Sequence, residues 1–305
     1  MCSQVECTIN ELLKIEGVTV VGPDFKDKNK LRVYADGGRI GKIYVGKRND
    51  GKHELISSGY FSHYEKSKNK MDSEENLGKI VTESTNHLET LKSDIYITQA
   101  KIAINKKNGD EERTNDSEPS ERHVETSIVK KFMNKDNNKN WSVIDMEVEF
   151  PKDFFKGHNF SDGTTRQPRF DIVVVNNKGI GFLELKVNNK NVDNLESHYE
   201  HMLFLLQNPK KFLNEIQRRM RVIKPYNLIS ESALNASLKA KSLWCGFLFV
   251  GGEIKKSIVE PLSEKDKIED FNFLYYDNME DFSLLNMNET EWKCYADYIK
   301  GASKE

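Results

Sequence analysis

No Cys-x-x-Cys pair occurs in the 305-residue chain. Its four cysteines, Cys2, Cys7, Cys245 and Cys294, stand far apart in two groups. That pattern argues against a structural zinc centre and for a reducing compartment. No run of 18 apolar residues is present, so no segment reads as a membrane span. The opening residues, Met1-Cys-Ser-Gln-Val-Glu6, lack the basic and apolar regions of a secretory leader. A cytoplasmic protein without membrane contact is the expectation. Internal repeats are absent, and so is a strong charge bias: 46 Lys and Arg face 48 Asp and Glu. Such a balance excludes a polycationic coat for nucleic acid, but not an enzyme that handles nucleic acid in a local basic cleft.

What is present suffices for a core. Hydrophobic residues make up 37% of the chain and charged residues 31%, a composition that argues against wholesale disorder. The length suggests two domains or one large one. Charge is unevenly spread, since residues 260–305 hold 5 basic and 12 acidic side chains while the rest is mildly basic. Residues 1–105 read as a small β-rich domain. Leu31-Arg-Val-Tyr-Ala35 and Ile40-Gly-Lys-Ile-Tyr-Val45 flank the hairpin signal Asp36-Gly-Gly-Arg39. A polar helix over 74–92 and a strand over 95–104 follow. Residues 106–118 are almost free of apolar side chains and read as a linker.

The remainder, 119–305, is more regular and ends in the acidic extension. Val124, Ile128, Val129 and Phe132 recur at helical spacing. Residues 141–150, 169–175 and 180–187 read as strands, the last two joined by Asn176-Asn-Lys-Gly179. Asp193 and Glu196 resemble a capping box at the start of a helix to about 207. Asn208-Pro209 opens a second helix that ends before Pro225. Leu243–Val250 is apolar throughout and reads as a buried strand. The order is αβββαβ, in an α/β class of fold. Residues 261–301 add elements that the pattern does not place.

The hairpin carries the chemistry. A symmetric loop at 176–179 pairs residues whose numbers sum to 355, which sets Asp171 opposite Glu184. Lys186 then shares the face of Glu184, and Leu185 points away. Two opposed carboxylates in an apolar sheet repel one another, and unpaired buried charge costs several kcal/mol. Lys186 can offset one charge; a divalent cation can offset both. Mg²⁺, with Mn²⁺ as a substitute, suits carboxylate oxygens and usually takes one or two of them.

Asp171, twelve intervening residues and then Glu184-Leu185-Lys186, in an αβββαβ order, resembles the PD-(D/E)xK nuclease superfamily. The resemblance covers residues 117–252. It implies a restriction-endonuclease-like core and a metal-dependent endonuclease that hydrolyses phosphodiester bonds, with DNA favoured over RNA. Asp171, Glu184 and the Leu185 carbonyl would hold the metal, and Lys186 would assist the attacking water. The superfamily often adds an acid from the first core helix, where Glu125 is favoured over Glu121. Its members serve in restriction, repair and antiviral defence, and many are homodimers. The Pro that usually precedes the Asp is Phe170 here, with Pro168 upstream.

Other features admit a plain reading beside a functional one. Lys210, Lys211, Arg218, Arg219, Arg221 and Lys224 crowd the second helix, either as a phosphate-contacting face or as a solvated amphipathic one. His198 and His201 lie three apart on the preceding helix, where they approach the cleft or pack in the core. Tyr44, Tyr60, Phe61 and Tyr64 could stack on bases or fill a core. Three rivals to the nuclease remain: a structural salt-bridge cluster at a sheet edge formed by Asp171, Glu184 and Lys186, a nuclease fold that binds nucleic acid or protein without cutting, and a structural or regulatory protein in which residues 1–105 do the work and the rest is scaffold.

Overall fold

The computed structural model describes residues 4–15, 17–23, 28–35, 38–45, 121–133, 141–158, 160, 168–187, 195–250, 262, 265 and 271–276. The expected linker, the helix over 74–92, the strand over 95–104, residues Tyr60, Phe61 and Tyr64, Cys2, Cys294 and the tail beyond 276 lie outside these residues. The described residues are mixed α/β and form two sheets, and no helix among them is long and apolar enough to cross a membrane. It divides into two compact units, Met1–Lys131 with Val222–Leu228, and Phe132–Arg221 with Ile229–Glu305.

In the first unit, helix α1 (Gln4–Leu12) packs on β1 (Val18–Pro23), which pairs with β2 (Lys30–Ala35) and through it with β3 (Gly38–Tyr44). The hairpin expected around Asp36–Arg39 forms, closing at Ala35 and Gly38. β1 and most of β2 are buried along their whole length, as their run of Val, Leu and Tyr requires. Helix α2 (Glu121–Phe132) begins in this unit. Val124, Ile128, Val129 and Phe132, the four positions of its apolar stripe, are all buried. A short 3₁₀ turn at Lys224–Tyr226 contributes the Tyr226 hydroxyl, which donates to the Val45 carbonyl at 3.4 Å.

The second unit is built on five strands: β4 (Trp141–Glu149), β5 (Arg169–Asn176), β6 (Gly179–Val187), β7 (Leu243–Val250) and β8 (Phe271–Tyr276), in that spatial order. β4, β5 and β6 run antiparallel; β7 and β8 join parallel to β6. Between β6 and β7 come α3 (Leu195–Gln207), α4 (Pro209–Ile223) and α5 (Glu231–Lys239). A parallel return needs such a crossover, and covering helices explain why β6 is buried at every position. α3 packs on β7, and α5 on β4, β5 and β6.

Turn chemistry fixes the central register. Lys178 donates its backbone N–H to Asn176 Oδ1 at 2.9 Å, and the same oxygen accepts the Trp244 indole N–H at 3.0 Å. Gly179 closes the turn at φ +123°, a conformation that L side chains rarely adopt. The register runs from Asn176–Gly179 to Ile172–Leu183, so every pair sums to 355 as anticipated. At its far end the sheet forks. β5 stays paired with β4 as far as Arg169, and β6 stays paired with β7 as far as Val187, yet the β5–β6 pairing stops at Ile172–Leu183.

Beside the fork lies an aromatic cluster. Phe150 meets Phe170, Phe182 and Phe212 at ring separations of 5.9, 5.8 and 4.7 Å. Phe170, which stands where the resembled pattern has proline, is thus a core side chain.

Candidate functional site

Asp171 is the first residue past the last β5–β6 pair. It does not simply face Glu184 across the ladder: its Oδ2 accepts the Leu185 backbone N–H at 2.8 Å. The carboxylate takes the place of a ladder carbonyl, which is how the strands can part without stranding a buried donor. Alternation on β6 puts Glu184 and Lys186 on one face, and Lys186 Nζ donates to Glu184 Oε1 at 2.8 Å. Asp171, Glu184 and Lys186 are 6%, 2% and 3% exposed. Carboxylate oxygens of Asp171 and Glu184 lie within 4.8 Å of each other. The three residues that the sequence singled out therefore meet, and they do so on β5 and β6, two of the sheet's inner strands, rather than at its edge.

One residue joins them whose role the sequence left open. His198, on the first turn of α3, places Nδ1 3.1 Å from Glu184 Oε2. Glu184 Oε2 is itself buried, with His198 as its near neighbour. The His198 side chain is 25% exposed, against 3% for Glu184 and Lys186, so it forms the wetter margin of the centre. His201, one turn on, is buried instead, with its ring 4.3 Å from that of Phe160.

Burial alone would push the Glu184 carboxyl up. The Lys186 ammonium, aided by His198, more than reverses that and holds it at about 2. Glu184 is thus a carboxylate at any ordinary pH. Closely spaced carboxylate oxygens of this kind could hold a hard cation such as Mg²⁺ or Mn²⁺. Glu125 and Glu121 belong to α2 in the first unit, where Glu125 is buried and Glu121 half-buried.

The basic helix needs correction. Arg219, expected on a phosphate-contacting face, is fully buried. Its guanidinium lies 3.5 Å from Asp145 Oδ2, donates to the Glu149 carbonyl at 2.6 Å, and sits 5.7 Å above the Phe150 ring. Arg218 is bound by both oxygens of Glu215, at 2.8 and 2.6 Å. Lys211 caps the 3₁₀ turn Lys152–Phe155 by donating to the Asp153 and Phe154 carbonyls. Lys210, Arg221 and Lys224 are exposed. Gln217 donates to the Ala240 carbonyl at the end of α5 and so is structural. Burial pushes the Cys245 thiol up, so this cysteine is an inert core group. No protein-family model, no curated protein and no solved structure matches the chain.

Proposed function

We propose that the second unit is a metal-dependent endonuclease of the restriction-endonuclease-like type, acting on phosphodiester bonds in DNA. The observation that carries the reading is the forked sheet with Asp171, Glu184 and Lys186 gathered at the fork, all buried, Asp171 accepting the Leu185 N–H and Lys186 donating to Glu184. Asp171 and Glu184 would hold Mg²⁺ or Mn²⁺, with the Leu185 carbonyl as a further ligand. A divalent cation supplies Lewis-acid stabilisation of charge developing on a phosphoryl group. Lys186 orients the attacking water and, as a buried cation, favours the anionic transition state. The Leu185 N–H fixes the Asp171 carboxylate, so little reorganisation is needed when substrate arrives. Lys210, Arg221 and Lys224 are the cations of α4 and the turn after it that remain for phosphate contact. A homodimer would present two centres to the two strands of a duplex, and the resemblance to defence nucleases makes antiviral defence the proposed setting.

A second reading has its own support: Lys186 and His198 both flank Glu184, so the centre could be a metal-free ion cluster in a binding module. The two readings part in one assay. Plasmid and oligonucleotide substrates are incubated with Mg²⁺, Mn²⁺ or EDTA and with wild type, Asp171→Asn or Lys186→Ala. The nuclease reading expects metal-dependent cutting that falls by roughly 10²–10³ in either variant. Cutting that survives both substitutions would displace the site, and absence of any cutting favours the binding module.

A further inference from the structure

We propose that Arg169 is a phosphate-binding residue, which grips the nucleic-acid backbone beside the bond that is cut, and that Glu147 positions it. The inference rests on the proposed nuclease reading and extends it to two residues outside the metal-holding set. Place comes first. Arg169 opens β5 two residues before Asp171 and ends the β4–β5 arm of the fork, paired there with Glu149. Its side chain is 41% exposed, whereas Asp171 is buried. The manner in which it is held comes second. Arg169 Nη1 lies 3.2 Å from Glu147 Oε1. Glu147 stands between the ladder pairs Met146–Ile172 and Val148–Phe170, so the register sets it opposite Asp171. Its φ is +42°, left-handed backbone in mid-strand that a long side chain rarely adopts. An ion pair with a half-exposed arginine adds little stability, so stability does not explain why the strand keeps that conformation. Strained residues persist mainly where a site uses the geometry they impose.

Charge supplies the third argument. Carboxylates at the fork repel a phosphodiester backbone, and Lys186, the cation beside them, is buried and donates to Glu184. A polyanion therefore needs an exposed cation at the rim. A guanidinium suits that task, because it stays charged at any ordinary pH and its planar donors match two phosphate oxygens. Arg218 and Arg219 of α4 are tied to Glu215 and Asp145, whereas Arg169 stands exposed on the strand that carries Asp171. Glu147 aligns the guanidinium before substrate arrives, which lowers the ordering cost of binding.

The test follows cleavage of duplex oligonucleotides by the full-length protein in Mn²⁺ at several salt concentrations, with Mn²⁺ affinity measured separately by calorimetry. Arg169→Gln should lower kcat/KM about tenfold, flatten the slope of log kcat/KM against log salt by about 0.9, and leave Mn²⁺ affinity unchanged. In a substrate series with one phosphate at a time made neutral as a methylphosphonate, wild type should slow about tenfold at one position beside the cut, where Arg169→Gln should be indifferent. Glu147→Gln should act only through the arginine, so its loss should vanish in the Arg169→Gln background. Arg169→Lys, which keeps the charge, should keep the salt slope and recover only part of the rate. A folded Arg169→Gln with the wild-type slope and the wild-type methylphosphonate pattern overturns this inference and leaves the nuclease reading standing. Should Arg169→Gln not fold, Arg169→Lys decides, and wild-type rates across the methylphosphonate series overturn it. An additive loss in Glu147→Gln removes Glu147 from the positioning role. A folded wild type that cuts nothing in Mn²⁺ overturns both readings.

Discussion

A carboxylate buried in an apolar sheet is held there by its neighbours, and Glu184 shows how. Lys186 on the same face and His198 from α3 both reach it, and its pKa drops to about 2 from an ordinary 4.5. Because the folded value is depressed, the ionised group stabilises the fold above the unfolded pKa, and that contribution is lost as pH falls towards the folded value. Urea unfolding in EDTA should lose on the order of 3 kcal/mol between about pH 5 and about pH 2 through this residue. Glu184→Gln should be less stable at neutral pH and should lack this component of the acid slope; an unchanged slope would count against the arrangement. Gly181 makes a second residue-scale test. A β-carbon there would run into the Trp244 indole, so Gly181→Ala is expected to cost about 1–3 kcal/mol in urea titrations.

At the scale of elements, α4 does a job different from its charge. Phe212, Ile216, Met220 and Ile223 form its buried stripe, and Arg219 lies on the same stripe rather than opposite it. Arg219→Met leaves Asp145 without its guanidinium, and the expected loss is about 3–5 kcal/mol. Lys210→Ala and Arg221→Ala, both exposed, should leave stability within about 0.5 kcal/mol but lower the slope of log affinity against log salt for duplex DNA by about 0.9 each. A salt slope unchanged by both would remove α4 from the substrate path.

These elements also show what a sequence can and cannot reveal. β5, β6 and their turn were legible because a continuous apolar run broken by Asn-Asn-Lys-Gly allows few alternatives, and the register followed from the turn. The fork was not, since the Asp171–Leu185 hydrogen bond depends on where pairing stops rather than on residue type. Arg219 was misread because an arginine among lysines looks solvated; its spacing of three from Ile216 and four from Ile223 was the available signal. α5 is only nine residues long, too short for its Ala and Leu positions to form a clear helical stripe, although Ser230 marks its start, accepting the Ala233 N–H at 3.2 Å. His198 was visible as a histidine three residues before another, but its contact with Glu184 requires α3 to cross the site, which no local pattern states.

For the molecule as a whole, we propose that the buried centre at the sheet fork binds a divalent cation and uses it to cut DNA. Cation binding to the native state alone raises stability, by about 2.7 kcal/mol at a hundredfold excess over Kd. A Mn²⁺-dependent rise in Tm, absent in Asp171→Asn, is therefore expected from calorimetry, and an equal rise in both proteins would place the ion elsewhere. The most direct measurement is cleavage of plasmid DNA by the purified full-length protein with Mn²⁺, with EDTA, and with Asp171→Asn in place of wild type. Cutting by wild type in Mn²⁺ that vanishes with EDTA and with the substitution is the predicted result; equal cutting by wild type and variant would contradict the centre described above.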